Sequence, residues 1–230
     1  MTTLAVRSHR EEQMDSAELD AETYARVLRD LARVNRWTFT AQPVLRFLDR
    51  AIGRLDRFRL LDVGFGAGDM LRAVNRWAAK RGVVAELVGV DLTPRSEAIA
   101  SAATPRSMAI TYHTGDYRDV PGAFDFIISS QVAHHMSERE LDAFIRYMEQ
   151  AARHGWLICD LHRHRFAHAG FPLLARLLGV HRIVREDGAL SIARSFRPRE
   201  WKDILARTGV QDSAEVVRRF PFRLSVERIR

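Results

Sequence analysis

Residues 1–18 are polar and charged and carry no apolar period, so a frayed chain end is predicted there. From Leu19 the apolar positions take helical spacing: Leu19, Tyr24, Val27, Leu28, Leu31 and Val34 recur mostly three or four residues apart. Asn35 and Arg36 interrupt the pattern. Pro43 then suits the first turn of a second helix carrying Val44, Leu45, Leu48 and Ile52, closed by Gly53. Two helices therefore precede the first strand.

Beyond them, short apolar runs alternate with amphipathic stretches. Strands are predicted at Phe58–Val63, Val84–Val90, Met108–Tyr112, Phe124–Ser129 and Trp156–Cys159. Helices fall between them at Met70–Ala79, Arg95–Ala102 and Glu138–Ala152, the last with Leu141, Ile145 and Met148 on one face. This alternation is the signature of a parallel sheet with right-handed crossovers. The remainder differs. A helix-like stretch, Pro172–Leu178, sits in a long connection, and a helix at Pro198–Thr208 is stopped by Gly209. Ala214–Phe220 and Phe222–Ile229, separated by Pro221, read as an antiparallel hairpin that closes the sheet.

Composition adds limits. The chain has 230 residues, enough for one well-buried core, and 47% hydrophobic with 28% charged residues is ordinary globular composition. No apolar run approaches the ~18 residues that span a bilayer, and the polar start predicts no signal peptide. Cys159 is the only cysteine, which excludes an internal disulfide and a multi-cysteine metal site and points to a reducing cytoplasm. The net charge of +7 is scattered arginine rather than a polybasic tail, so nucleic acid is not the expected partner.

The most informative segment is Leu60-Leu61-Asp62-Val63-Gly64-Phe65-Gly66-Ala67-Gly68-Asp69. Alternate glycines between a strand and a helix let backbone approach a ligand closely. A pyrophosphate here would face Asp62 and Asp69, where like charges repel; a sulfonium ligand bearing an ammonium group would be attracted. Asp91 ends the second strand, where an acid can accept from both ribose hydroxyls, and Asp116 follows the third, within reach of an adenine amine. Three acids at successive strand ends place a nucleoside at the switch point of an open sheet.

With these motifs the sequence resembles the class I S-adenosylmethionine-dependent methyltransferases over roughly Asn35 to Cys159. The resemblance implies a doubly wound, mostly parallel seven-stranded α/β sheet with an antiparallel last strand, a Rossmann-like methyltransferase fold. It implies that Gly64, Gly66 and Gly68 line the methionine and ribose portion and that Asp62 orients the amino group. Asp91 would hold the ribose, and Asp116 with Tyr117 the adenine; Leu92 and Ser130 complete the expected cofactor set. Residues 1–53 are expected to form an N-terminal helical cap, and residues 54–230 the core, with a lid insertion at 162–195.

The segment Ser130-Gln131-Val132-Ala133-His134-His135-Met136 after the fourth strand bears on the acceptor. It lacks the Asn/Asp-Pro-Pro-Tyr/Phe motif of amine-methylating enzymes, and it resembles small-molecule methyltransferases acting on phenols, quinone precursors and polyketides. Oxygen is the expected acceptor atom. His135 and His134 are the candidate bases, with His162 and His164 as rivals; no metal is expected, because no acidic or cysteine partner stands at ligand spacing. Cys159 lies in an apolar strand and reads as a buried structural residue. Asn35, Arg36, Gln131, Phe166 and Arg194 are the candidate substrate contacts, and Phe166, Phe171, Leu173, Leu174, Leu177 and Leu178 a candidate apolar wall. The alternatives are an RNA or tRNA methyltransferase and a non-catalytic cofactor- or partner-binding member. The stretch Phe171–Val180 also suits contact with a membrane surface.

Overall fold

The computed structural model describes residues 4–230; residues 1–3, where the stretch expected to fray begins, lie outside the described residues. Two helices, α1 (Ala21–Trp37) and α2 (Ala41–Ala51), lead into the alternating core. It runs β1 (Arg57–Val63), α3 (Asp69–Arg81), β2 (Val84–Asp91), α4 (Pro94–Ala103), β3 (Ile110–Thr114), β4 (Phe124–Ser130), α5 (Glu138–Ala151) and β5 (Ala152–Leu161). Then follow α6 (Arg165–Leu177), α7 (Arg182–Arg194), α8 (Pro198–Thr208), β6 (Glu215–Arg219) and β7 (Arg223–Ile229). Local chemistry sets several ends. Asp20 caps α1 by accepting from the Thr23 amide at 2.8 Å, Ser137 and Glu140 form a capping box on α5, and Gly209 in the left-handed region stops α8.

The seven strands form one sheet in the order β3-β2-β1-β4-β5-β7-β6, parallel from β3 to β5. Only β7 runs against them, inserted between β5 and β6. Strand residues alternate between two cores. Leu61, Ile127, Trp156 and Ile158 pack under α5 and α8, with Phe144 and Trp201. Leu60, Phe126, Ile128, Leu157 and Cys159 pack under α2 and α3, with Phe47, Leu71 and Trp77. Burial on both faces explains why these strands read as continuous apolar runs rather than alternating ones. Among the described residues, no helix is long and apolar enough to cross a membrane.

One expectation is corrected. The chain start is not frayed over residues 7–15: it is a strap stitched to α7 and to the turn after β4. Arg7 donates to the carbonyls of Arg194, His134 and Met136, the Ser8 amide donates to Ala193, and the amides of Gln13 and Met14 donate to the Asp187 carboxylate. The stretch Asp187–Arg194, which carries no apolar period and for which the sequence predicts no element, is helical as part of α7. Its buried polar positions Asp187, Ser191 and Arg194 stand at i, i+4 and i+7. They form an inward polar stripe, which hydrophobic periodicity does not register.

Candidate active site

The C-terminal ends of the parallel strands, the glycine loop, α1, the strap and α6–α7 enclose a cleft of about 760 Å³. At the β1 end, Gly64 and Gly66 have positive φ, and the Gly66 amide donates to Asp91 Oδ2 at 2.9 Å. Asp91 Oδ1 accepts from the Thr93 amide at 2.9 Å, so Asp91 ties the loop to β2 while lining the cleft. A Cβ at Gly64, whose φ is +80°, would stand 2.3 Å from Val132 Cγ2. We expect Gly64→Ala to displace the loop against the turn after β4 and to weaken S-adenosylhomocysteine binding by about tenfold or more, read by calorimetry. Gly68 lies outside the cleft: it is the N-cap of α3, and a Cβ there would meet the Tyr112 hydroxyl at 2.4 Å. Its role is helix–strand packing, which corrects its expected place on the ligand.

Asp62 is fully buried at the floor. Burial, reinforced by the charges of Asp69 and Asp91, pushes its carboxyl up to about 8. Among the described residues its Oδ2 has no hydrogen-bond partner, and neither has Ser130 Oγ, buried across the same cleft. Two orphaned acceptors at the sheet end are a cost that a ligand with N–H donors and positive charge would relieve. At the β3 end, Asp116 and Tyr117 line the cleft and Leu92 stands exposed at its rim. Asp116 is held bidentate by Arg118 at 2.9 and 2.6 Å. That guanidinium is largely exposed, so its contact is the kind that yields to a ligand at little cost.

The β4–β5 end has different chemistry. His134 is buried; its backbone amide and Nδ1 both bond Asp160, each at 2.8 Å, and Nε2 lies 3.5 Å from Glu12 Oε1. Burial opposes its charge, but Asp160 and Glu12 outweigh that and raise it to about 9. His135 is half-buried, with Nδ1 3.1 Å from Asp15 and Nε2 3.9 Å from Glu12. Both Glu12 and Asp15 come from the strap. The expectation that no acid accompanies these histidines therefore fails: Glu12, His134 and His135 bring potential ligand atoms within 4.8 Å of one another. Glu12 is already engaged, accepting from Ser191 Oγ at 2.9 Å and lying 3.8 Å from Arg194.

Residues 60–155 match the family model described as a methyltransferase domain. That match spans less than half of the chain and makes this stretch similar to methyltransferase domains. No curated protein matches the sequence. Among solved structures, magnesium protoporphyrin IX methyltransferase from Synechocystis PCC 6803, with bound S-adenosylhomocysteine, is 16% identical, with 95% of this chain and 91% of that chain covered at a TM-score of 0.55. A SAM dependent methyltransferase from Aquifex aeolicus is 16% identical, with 92% and 99% covered at a TM-score of 0.62. Human N-acetylserotonin methyltransferase, in complex with SAM, is 14% identical, with 92% of this chain and 56% of that one covered at a TM-score of 0.62. These likenesses are likenesses of fold.

Asn35, Gln131 and Phe166 line the cleft, Phe166 on an exposed rim. Phe171 and Leu174 join the wall, whereas Leu173 and Leu177 point to solvent and Leu178 packs with α1 and α7. Arg36 is exposed and outside the cleft, because it lies on the solvent side of the last turn of α1. Arg194 is buried behind the wall, donating to the carbonyls of His134 and Arg10; it fastens the strap rather than facing a substrate. His162 also lies outside the cleft. Burial and the neighbouring His164 and arginines lower it to about 4, so it is not placed as a base. Cys159 is buried, and burial pushes its thiol up to about 11, as befits a structural residue. Sequence reasoning missed Glu12, Asp15, Asp160, Ser191 and Arg223. The polar i, i+4, i+7 stripe on α7 was the one signal that something polar packs there.

Proposed function

We propose that the protein transfers a methyl group from S-adenosylmethionine to a hydroxyl of a small aromatic or polyketide-derived acceptor. One observation carries this reading: a single cleft has an acidic, glycine-lined end with orphaned acceptors and, at its other end, a carboxylate-anchored histidine beside an apolar wall. The cofactor supplies a methyl group on a positively charged sulfur. Asp62 and Ser130 would accept from its ammonium group, Asp91 from the ribose, and Asp116 with Tyr117 would border the adenine. Phe166, Phe171 and Leu174 exclude water from the acceptor end, and alignment in a dry site supplies much of the rate for an in-line displacement.

His135 is the residue we assign to the hydroxyl proton. Its Nδ1 is anchored on Asp15, which leaves Nε2 as the atom to receive the proton. His134 takes the role of a fixed, buried cation. The strap with α1, α6 and α7 acts as the lid over the acceptor, and the single reduced Cys159 suits a cytoplasmic setting.

The test is calorimetric titration with S-adenosylmethionine and S-adenosylhomocysteine, followed by a methyl-transfer screen against phenols and quinols. We expect micromolar binding, weakened about tenfold or more by Asp91→Ala with the fold intact by circular dichroism. Folded protein that binds neither ligand would refute the proposal.

A further inference from the structure

Three arginines of the described residues are buried, and two have an acid for company. Arg163 pairs with Glu200, and Arg194 approaches Glu12 at 3.8 Å. Arg223, at the first position of β7 and only 3% exposed, has no carboxylate partner among the described residues. It donates to Gln131 Oε1 at 3.2 Å, Thr38 Oγ1 at 2.9 Å and Thr40 Oγ1 at 2.5 Å, all neutral oxygens, and its Nε has no partner among the described residues. Arg223, Gln131, Thr38 and Thr40 all line the cleft. Gln131 is itself held in the left-handed region, φ +60°, an unfavourable conformation for a residue with a side chain. Its Nε2 donates to Asn35 at 2.8 Å, so its amide oxygen is turned toward the guanidinium.

A guanidinium cannot shed its proton to escape burial, so it needs an anion or a costly accommodation. Here the described residues bond it only through neutral oxygens, Asp160 acting on it at a distance while bonded to His134, yet the side chain borders an open cleft. We propose that Arg223 is the recognition group for a carboxylate on the acceptor, making an aromatic or polyketide-derived acid the preferred substrate class. This rests on the methyl-transfer reading above and adds the charge of the acceptor to it. A carboxylate matches the planar fork of the guanidinium and would use the donors that neutral oxygens leave free.

The sheet order argues for the acceptor over the cofactor's own carboxylate. Arg223 stands on β7, and β4 and β5 separate it from β1, which carries the glycine loop. Three strand spacings amount to roughly 14 Å. Of the strand ends, the guanidinium bonds that of β4, through Gln131, four residues before His135; its other bonds go to Thr38 and Thr40 between α1 and α2.

The test uses the full chain, free and saturated with S-adenosylhomocysteine, titrated with 2-hydroxybenzoate, 4-hydroxybenzoate and the corresponding neutral hydroxybenzamides. The acids are expected to bind about tenfold or more tightly than the amides, and Arg223→Gln to remove that preference without weakening the amides. Arg223→Lys, which keeps the charge but loses the fork, is expected to retain part of it. Equal binding of acids and amides to the wild type would overturn the proposal, as would a preference that survives Arg223→Gln. A third result would also overturn it: Arg223→Gln weakening S-adenosylhomocysteine but not 5′-methylthioadenosine, which lacks the amino-acid portion, would assign the carboxylate to the cofactor. Failure of the underlying reading looks different, since wild-type protein would then not bind S-adenosylhomocysteine at all.

Discussion

From pH 9 down to pH 6, the affinity for S-adenosylmethionine is expected to fall about a hundredfold, tenfold for each pH unit below the Asp62 pKa of about 8. Asp62 is neutral at pH 7 in the free protein, because burial and the nearby Asp69 and Asp91 all penalise its charge. A cationic ligand reverses that balance, so the carboxyl must release its proton as the ligand enters. Calorimetry in buffers of different ionisation enthalpy should count about one proton released near pH 7. Asp62→Asn should bind weakly at every pH and flatten the profile. The same variant should make the free protein more heat-resistant above pH 8. The sign follows from linkage: the folded pKa lies above the ordinary 3.8, so the group's contribution to stability is lost as pH rises toward 8, and an amide cannot lose it. A flat profile in the wild type, with no proton released, would show that Asp62 does not meet the ligand's charge.

How much of this was legible in the sequence depends on the kind of contact. The strands from Leu60 to Cys159 announced themselves because both sheet faces are covered, which leaves unbroken apolar runs between glycine and proline signals. Asp62, Asp91 and Asp116 were legible because each sits at a strand end, where chain direction alone brings it to one edge of the sheet. The acceptor end was not. Glu12 meets Ser191 across 179 positions, and Asp15 meets His135 across 120. Such pairings leave no local trace, since polar residues near a chain start look the same whether solvated or buried. Arg223 was hidden for another reason: within an alternating strand one arginine carries no sign of lacking a partner. The opposite error arose at Arg36 and Gly68, where a suggestive residue beside the motif proved to face solvent or a neighbouring strand.

The adjacent histidines should separate cleanly. Replacing His134 by alanine leaves Asp160 and Glu12 buried with their shared cation gone, which is expected to cost about 3–5 kcal/mol, or roughly 10 °C in Tm for a chain of this size. Replacing His135 removes a half-buried side chain whose carboxylate partner, Asp15, is about half exposed to water; Tm should hardly move, while kcat should fall about 10²–10⁴-fold if it takes the proton. The two also differ in pH behaviour. His134 is raised from 6.5 to about 9, so the stability it lends is complete below pH 6.5 and is lost as pH climbs through 9. Asp62 contributes with the same sign, but it persists in His134→Ala; the His134 share is the part of the alkaline decline that disappears in that variant. Thermal denaturation of both variants and the wild type from pH 6 to 10, set beside single-turnover rates, makes the comparison. Equal melting of His134→Ala and wild type would mean the buried acids find another cation, for which Arg7 and Arg194, both bonded to the His134 carbonyl, are the nearest supply.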